Sequence, residues 1–295
     1  MADCVTLLTA VANCQPRLGL RADIMHLVGP EKFSDMLDQS ALQQILTTHT
    51  FGRTCYMLPS TTSTNDILKA FAQQGAPEGT VVVAEHQTRG RGRHGRTFAS
   101  PAGVGIYVSL LVRPQVDAIR LPSLTLAIAA ATAEALVEYC ALPVCLKWPN
   151  DVEIHGKKVA GILSEAVLGA GVSPVAIIGI GINVNTTLDH LPAELHQHVT
   201  SLALASGHPW PRLPLLALLL AYLERLYEVF QQGDIASILQ RWLHYGPIIG
   251  RQVRFTYESS AGLGTIVGLA ADGALVVQHP DGMQQRLVAG EITFI

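Results

Sequence analysis

The sequence predicts an α+β protein, with a large domain of strands and helices followed by a small all-β domain. The first observation is a series of β-branched apolar runs of strand length, which predict buried strands. They lie at 81–84, 106–112, 144–148, 152–154, 159–166 and 175–184. The second is a set of Ala- and Leu-rich segments that predict helices at 121–139, 213–231 and 235–244. The third is a change after Tyr245 to short alternating strands.

The remaining elements of the large domain follow in order, without an internal repeat. Before residue 58, short helical patterns occupy 5–12 and 34–46. Ser63 predicts the N-cap of an amphipathic helix, because apolar residues recur at helical spacing after it. His155-Gly156 predicts a tight hairpin turn between the strands on either side of it.

The last fifty or so residues predict a small β-barrel, because they hold four or five short strands joined by turns. These strands lie at 253–257, 264–268, 274–279 and 284–288, with turns at Asp272-Gly273 and Asp281-Gly282. Pro247 and the glycines around it indicate a boundary. We therefore divide the chain into an N-terminal helical segment (1–45), a large central domain (46–245) and a small C-terminal domain (246–295).

The composition favours a folded protein in the cytoplasm. Hydrophobic residues make up 49% of the chain and charged residues 15%, which excludes a disordered chain. The net charge of -3 gives no global attraction to nucleic acid or to acidic membranes. No basic segment precedes an apolar run at the start, and we judge the most apolar stretch, 213–223, too short to span a bilayer. Any anion-binding function must come from a local cluster.

The most unusual local feature is a glycine- and arginine-rich loop between two predicted strands. Arg89, Arg91, Arg93 and Arg96 fall within eight residues. Guanidinium groups bind phosphate or carboxylate oxygens in pairs, and the interleaved glycines let the backbone approach a ligand. The run predicts a mobile loop that folds over an anionic ligand. In isolation it is also typical of a solvated basic loop or of an RNA-binding segment, but its place between two strands favours a site.

Two further clusters follow the strands of the large domain. Lys147-Trp148-Pro149-Asn150-Asp151 ends one strand, and Lys158 precedes an apolar run with Gly161 inside it. Polar clusters at strand ends are common ligand sites. Taken alone, Lys147 and Asp151 are more typical of a surface ion pair, and Lys158 is equally typical of a lysine that guards a strand edge.

The segment 178–185 carries two glycines inside a predicted strand, which indicates close approach of another group to the backbone. Asn183 follows them and could bind a ligand; tight strand packing is the alternative explanation. No helix follows these glycines, so they do not form a dinucleotide-binding motif, and no phosphate-binding GxxxxGK[ST] motif occurs.

Together, in this order, these motifs resemble those of the bacterial biotin–protein ligases. The matching elements are Ser63-Thr64-Asn65, Gln87, Gly90 to Arg96, Lys147 to Asp151, Lys158 to Leu163, Gly179 to Asn183, and Gly290-Glu291-Ile292. The resemblance covers residues 40–295. It implies a mixed β-sheet flanked by helices, akin to the catalytic domains of class II aminoacyl-tRNA synthetases, followed by an SH3-like barrel.

The resemblance also implies an activity and a set of site residues. Biotin and Mg-ATP would form biotinyl-5′-AMP, from which biotin passes to a lysine of the biotin carboxyl carrier protein of acetyl-CoA carboxylase. The implied catalytic residues are Arg93, Lys158 and Asp151. The implied biotin-binding residues are Ser63, Thr64, Asn65, Gln87, Gly90, Arg91, Gly92, Arg93, Lys158, Gly161, Leu163 and Gly179. The implied ATP-binding residues are Arg93, Arg96, Phe98, Lys147, Asn150, Lys158 and Asn183, with Asn183 also the candidate ligand of magnesium.

The chain departs from the family pattern at two positions. His94 replaces an arginine and Phe98 replaces a common tryptophan, which predicts weaker retention of the adenylate. Some members also carry an N-terminal winged helix that binds DNA. The first fifty residues here hold three basic and five acidic residues, and we predict no sequence-specific DNA binding.

Three questions of class and assembly stay open at this point. A lipoate or octanoate ligase of related fold is the nearest alternative function. A nucleic-acid-binding protein that uses the arginine loop is the alternative from another class. Family members can pair through the sheet of the catalytic domain, so the resemblance is also compatible with a homodimer.

Overall fold

The computed structural model describes residues 19, 36–167, 174–257 and 260–295. The large domain is built on a seven-stranded sheet in the order β1-β2-β3-β7-β6-β5-β4. Its strands are β1 (Cys55–Leu58), β2 (Val81–Ala84), β3 (Gly105–Val112), β4 (Val144–Lys147), β5 (Asp151–Ile154), β6 (Lys157–Val167) and β7 (Val175–Asn183). The first pair, β1 and β2, is parallel, and the others are antiparallel. The predicted mixed sheet is confirmed.

The helices of the described residues cover mainly one face of this sheet. They are α1 (Gln39–Ile45), α2 (Thr64–Gln73), α3 (Leu121–Cys140), α4 (Leu202–Ser206), α5 (Arg212–Gln231) and α6 (Ile235–Tyr245). α3 lies in the main core with α5, α6 and the inward residues of β3 and β7. α2 packs on the opposite face, where Leu68 meets Val82, Leu111 and Ile177.

Because side chains alternate along a strand, the two faces of the sheet differ in character. Ile178, Ile180 and Ile182 face the main core. Ser164 Oγ also faces this side, 3.0 Å from Thr125 Oγ1 of α3. The opposite face carries Gly179 and Gly181. That face, next to the start of α2, bears the candidate site.

The second sheet is formed by residues 252–294 and is antiparallel throughout, in the order β11-β10-β9-β8-β12. Its strands are β8 (Gln252–Tyr257), β9 (Ser260–Leu269), β10 (Leu275–Gln278), β11 (Gln284–Leu287) and β12 (Glu291–Phe294). This agrees with the predicted small β domain. The domain divisions themselves stay predictions.

The small domain contacts the large one beside the predicted KWPND motif. Trp148 Nε1 donates to the carbonyl oxygen of Gly273 at 3.2 Å. Gly273 has a φ of +85°, and a Cβ there would lie 3.2 Å from Ser123 Cα at the start of α3. A glycine is therefore required both by the backbone conformation of the Asp272-Gly273 turn and by the close contact.

Several sequence predictions need correction. Only helical patterns are predicted up to residue 58, and strand β1 is not predicted; a four-residue strand has too little periodicity to be recognised alone. The helix predicted at 34–46 is the shorter α1, N-capped by Asp38, whose carboxylate accepts from the N–H of Ala41 at 2.8 Å. α4 was not predicted. The helix predicted at 5–12, and most of the segment behind the DNA-binding prediction, lie outside the described residues.

One described helix passes the length and composition test for a membrane span. Among the described helices, α3 rather than 213–223 is long and apolar enough to cross a membrane by length and composition. However, 78% of its most apolar window is buried within the protein, as in the core helix of a globular domain. Pro214 does not break α5, because it lies in the first turn, where a missing N–H costs no hydrogen bond.

Candidate active site

A cavity of about 490 Å³ lies on the face of the large sheet that carries Gly179 and Gly181, and it reaches the small domain. Every predicted site residue except Gly90 lines it. These residues are Ser63, Thr64, Asn65, Gln87, Arg91, Gly92, Arg93, Arg96, Phe98, Lys147, Asn150, Asp151, Lys158, Gly161, Leu163, Gly179 and Asn183. The fold thus brings together predicted site residues as far apart in sequence as Ser63 and Asn183, as antiparallel pairing of distant strands allows.

Gly90 is buried instead. A Cβ at this position would lie 2.3 Å from the carbonyl oxygen of Phe98 and 2.6 Å from Ser100 Oγ. Internal packing therefore accounts for this glycine, and its predicted contact with a ligand stays a prediction.

The glycine–arginine loop forms a hairpin at the mouth of the cavity. Phe98 N–H donates to Gly90 O at 2.9 Å, and Gly92 N–H donates to Arg96 O at 2.7 Å. At the tip, His94 and Gly95 adopt positive φ values of 54° and 72°. The turn explains why a glycine stands at 95, whereas closure of this hairpin over a ligand stays a prediction.

Each arginine of the hairpin that lines the cavity is held by a polar partner. Arg91 Nη2 lies 2.6 Å from Asp66 Oδ1 and 3.1 Å from Glu165 Oε2. Arg93 Nη1 donates to Asn150 Oδ1 at 3.2 Å. Burial lowers the pKa of Arg93, and the positive charge of Arg96 lowers it further. The carboxylates of Asp151 and Glu291 act in the opposite direction. Guanidinium pKa values are so high that Arg93 remains a cation at neutral pH.

The wall formed by β4, β5 and β6 alternates positive and negative charge. Lys158 Nζ lies 2.6 Å from Asp151 Oδ1, and Lys147 Nζ lies 3.8 Å from Glu153 Oε1. Burial raises the pKa of the Glu153 carboxyl, although Lys147 and Lys158 oppose this rise. Asn150 is fixed across β6, because its Nδ2 donates to Ile162 O at 2.8 Å.

The floor of the cavity is made of glycines on β6 and β7. Gly161 pairs with Gly181 across the two strands, and Leu163 pairs with Gly179. A Cβ at Gly181 would lie 2.5 Å from the ring of Phe98, and one at Gly179 would lie 2.4 Å from Asn65 Oδ1. The glycines therefore admit an aromatic ring and an amide side chain close to the sheet.

The end of the cavity beside α2 is polar and hydrogen-bonded. Gln87 Oε1 accepts from the backbone N–H of Thr64 at 2.9 Å, while its Nε2 donates to Ser100 Oγ at 2.9 Å. Ser63, Thr64 and Asn65 are buried at the start of α2. Asn65 Nδ2 donates to Glu165 Oε2 at 2.6 Å.

Asn183 lies at the end of β7, where it lines the cavity although it is buried. Its Nδ2 donates to Thr200 O at 3.1 Å. Its Oδ1 has no hydrogen-bond partner within the described part of the chain. A buried carbonyl oxygen without a partner is costly, so this atom is suited to a donor or a cation from a ligand.

Comparison with known proteins decides the family. Residues 57–183 match the biotin/lipoate A/B protein ligase family, and residues 248–294 match the biotin protein ligase C-terminal domain. The bifunctional ligase/repressor BirA of Bacillus spizizenii is 34% identical over 249 residues, which cover 84% of this chain and 77% of that protein. The biotin–[acetyl-CoA-carboxylase] ligase of Paracoccus denitrificans is 33% identical over 242 residues, covering 81% and 99%.

The chain belongs to the biotin–protein ligase family.

Solved structures of biotin–protein ligases agree with the fold. The enzyme from Aquifex aeolicus, in complex with biotin and ATP, superposes with a TM-score of 0.71 at 30% identity, covering 82% of this chain and 99% of that one. The ligase from Leishmania major, in complex with biotinyl-5-AMP, gives a TM-score of 0.56 at 26% identity, covering 80% and 99%. The predicted class of mixed sheet with a small SH3-like C-terminal domain is confirmed.

Some residues of the biotin–protein ligase site were not predicted from the sequence. Glu153, Glu291 and Thr293 line the cavity, and Ser109 and Glu165 support its polar end. Glu165 and Ser109 stand within apolar strand patterns, where a single polar residue carries no local signal. Gly290-Glu291-Ile292 belongs to the family resemblance, but nothing in the sequence places it beside the arginine hairpin, where Glu291 contacts Arg96.

Proposed function

We propose that the chain activates biotin with ATP to give biotinyl-5′-AMP and then transfers biotin to a lysine of an acceptor protein. The observation that carries the proposal is the layout of one cavity. A glycine-lined floor with a polar end suits a small apolar ring system with hydrogen-bonding groups. A wall with Arg93 and Lys158 adjoins it and suits a carboxylate and a phosphate.

In the first step, a carboxylate oxygen of biotin forms a bond to the α-phosphorus of ATP, and the bond to the pyrophosphate oxygen breaks. The two reactants are both anions and repel each other. Arg93 and Lys158 line the same cavity and neutralise this repulsion, which stabilises the charge that develops on the phosphoryl oxygens. Asn150 and Asp151 hold these cations in place at 3.2 Å and 2.6 Å.

In the second step, the lysine amine of the acceptor attacks the biotinyl carbonyl carbon, and AMP leaves with the electron pair of the anhydride bond. The amine must lose a proton. Asp151 is our candidate for orienting this amine and accepting the proton. Only one of its oxygens is occupied by Lys158 in the ion pair, so the second can face the acceptor.

Asn183 fits a magnesium ion that is carried by the phosphates of ATP. Its buried Oδ1 is a hard oxygen ligand without a partner among the described residues. No group of three or more His, Cys, Asp and Glu that could hold a metal occurs in that part of the chain. Magnesium there would supply neutralising charge, and such an ion commonly takes only one or two protein oxygens besides phosphate.

We infer that the acceptor is a biotin carboxyl carrier protein or domain of an acetyl-CoA carboxylase. The support is the Paracoccus denitrificans relative, which is named for acetyl-CoA carboxylase and is matched over 99% of its length. We also infer that the reaction takes place in the cytoplasm, where ATP and such carriers are available.

Biotin-dependent ATP–pyrophosphate exchange tests the adenylation step. We expect exchange to require biotin and to fall by roughly 10²–10³-fold in Lys158→Ala and in Arg93→Ala. Lys157→Ala is the matched control, because this neighbouring lysine is exposed and bonds only the carbonyl of His196 at 3.2 Å among the contacts described. Exchange supported by lipoate or octanoate instead of biotin would show that the substrate is wrong. If none of these acids supports exchange, the proposal is excluded.

A further inference from the structure

A chain of hydrogen bonds runs beneath the polar end of the cavity, from Glu165 through Asn65 and Ser109 to Thr64. Asn65 Nδ2 donates to Glu165 Oε2 at 2.6 Å. Ser109 Oγ lies 2.5 Å from Asn65 Oδ1 and 2.7 Å from Thr64 Oγ1. Thr64 and Asn65 line the cavity, whereas Ser109 is completely buried behind them.

The direction of the first bond follows from the charge of Glu165. Lys69 Nζ lies 2.7 Å from one carboxylate oxygen, and Arg91 Nη2 lies 3.1 Å from the other. Burial raises the pKa of Glu165, but hydrogen bonds from Lys69 and Asn65 and the charges of Lys69 and Arg91 outweigh it, so the pKa lies below its ordinary value. An ionised carboxylate only accepts, so Asn65 must turn its amide N–H towards Glu165 and its oxygen towards Ser109.

The positions of the Ser109 and Thr64 hydroxyl hydrogens then follow from the number of donors and acceptors in the chain. The single hydroxyl hydrogen of Ser109 goes to Asn65 Oδ1, because that oxygen has no hydrogen to give. Ser109 Oγ can therefore only accept from Thr64. The other internal neighbour of the Thr64 hydroxyl is Gln87 Oε1 at 3.2 Å, which is also an acceptor. The hydroxyl hydrogen of Thr64 thus points into the protein, and only its lone pairs face the cavity.

We propose that Glu165 and Ser109 are positioning residues that fix Thr64 as a hydrogen-bond acceptor, so that this end of the cavity selects a ring bearing an N–H donor. The inference rests on the proposed function, in which the ligand is biotin and the donor is one N–H of its cyclic urea. The dithiolane ring of lipoate has no N–H, so it would leave a buried acceptor without a partner. Sites of this kind discriminate strongly against ligands that lack the bonding group.

The test compares biotin with two analogues in which one or the other ring N–H is replaced by oxygen to give a cyclic carbamate. Dissociation constants are measured by calorimetry on the full chain. We expect the wild type to bind at least one analogue on the order of ten- to a hundredfold more weakly than biotin. The quantity of interest is the ratio of the analogue's dissociation constant to that of biotin. In Glu165→Gln this ratio should fall below about tenfold, because a glutamine offers Asn65 both an N–H and a C=O. The donor and acceptor roles along the whole chain of hydrogen bonds can then be exchanged.

Ser109→Ala gives a second measurement if Glu165→Gln does not fold. It removes the shorter internal acceptor for Thr64 and leaves only Gln87 Oε1 at 3.2 Å, so the hydroxyl is held less firmly and the ratio should fall here too. Ser164→Ala is the matched control, because that hydroxyl lies on β6 but bonds Thr125 on the helix side of the sheet. Its ratio should equal that of the wild type. A purely structural role of Glu165 would weaken all ligands equally and leave the ratio unchanged.

Two outcomes would overturn the inference. One is a wild type that binds biotin but tolerates both carbamates within about threefold. The other is an unchanged ratio in both Glu165→Gln and Ser109→Ala. In either case the proposed function stands, whereas a wild type that does not bind biotin at all would instead refute the proposed function.

Discussion

Arg96 of the glycine–arginine hairpin lies 2.5 Å from Glu291 of the small domain, Nη2 to Oε1. The contact joins two parts of the chain that both line the cavity. The side chains are 69% and 46% exposed. An ion pair this exposed contributes little to stability, so the cation is available for a negatively charged ligand.

Substitution of Arg96 should therefore affect nucleotide use more than folding. Arg96→Ala should raise the KM for ATP about tenfold or more, since one charge-assisted bond to phosphate is lost. Its free energy of unfolding should change by less than about 1 kcal/mol. Glu291→Gln leaves Arg96 in place and should change the KM for ATP by less than about threefold. Steady-state kinetics and urea unfolding measure these effects; equal KM values for Arg96→Ala and the wild type would exclude phosphate binding by Arg96.

The role of Asp151 can be separated from that of Lys158 by studying the two half-reactions. Asp151→Asn keeps an oxygen that can accept from Lys158, so pyrophosphate exchange should fall by about tenfold or less. Transfer from preformed biotinyl-5′-AMP to the carrier lysine should fall by roughly 10²-fold or more, because the proton acceptor is lost. Rapid-quench measurement of each step gives the two rates. Equal losses in both steps would restrict Asp151 to positioning Lys158.

A methyl group at Gly179 should damage the polar end of the cavity. Its Cβ would lie 2.4 Å from Asn65 Oδ1, so Asn65 must move and its bonds must lengthen. Gly179→Ala should weaken biotin binding about tenfold and destabilise the fold by about 1–3 kcal/mol through overpacking. Gly268→Ala is the control, because a Cβ there meets nothing within 4 Å. Calorimetry that finds unchanged biotin affinity in Gly179→Ala would contradict the packing argument.

Glu165 should make the free energy of unfolding depend on pH. Its pKa in the folded state lies below the ordinary value of 4.5, because hydrogen bonds and charges from Lys69, Asn65 and Arg91 outweigh burial. The stabilisation is therefore fully present above about pH 4.5 and is lost as the pH falls through the lowered folded pKa. The difference in unfolding free energy between wild type and Glu165→Gln should be constant near pH 7 and shrink below pH 4.5.

Urea unfolding at a series of pH values measures that difference. Glu228→Gln is a suitable control, since Glu228 is an exposed glutamate on α5, and its difference from the wild type should stay near zero. A difference for Glu165→Gln that persists undiminished well below pH 4.5 would show that the carboxylate does not contribute through its charge.

The replacement of a common tryptophan by Phe98 predicts a measurable loss. The Phe98 ring lies against the floor at Gly181 and forms an edge contact with Tyr107, with centroids 6.4 Å apart. Phe98→Trp would add stacking area and an N–H donor at the same place. We expect dissociation of biotinyl-5′-AMP to slow by a few-fold, on the order of 1 kcal/mol or less. Unchanged dissociation in a stopped-flow experiment would show that the departure has no consequence.

The sequence alone predicted most of the residues that line the cavity, because these residues occur in short motifs and each motif can be recognised from its own composition. The arginine hairpin, the KWPND segment, Lys158 and the glycines of β7 were each marked by unusual composition within a few residues. Their common order then indicated the family. The C-terminal strands were equally predictable, since the alternation of apolar and polar residues and the Asp-Gly turns are local properties of the sequence.

Only the tertiary structure decided which residues support these motifs. Ser109 bonds Asn65 across 44 residues of chain, and Glu165 bonds Asn65 across 100. Trp148 likewise meets Gly273 across 125 residues. Strand β1 is recognisable only through its parallel pairing with β2. Hydrogen bonds between distant strands depend on register and on which face each side chain takes, and neither is a property of any local stretch of sequence.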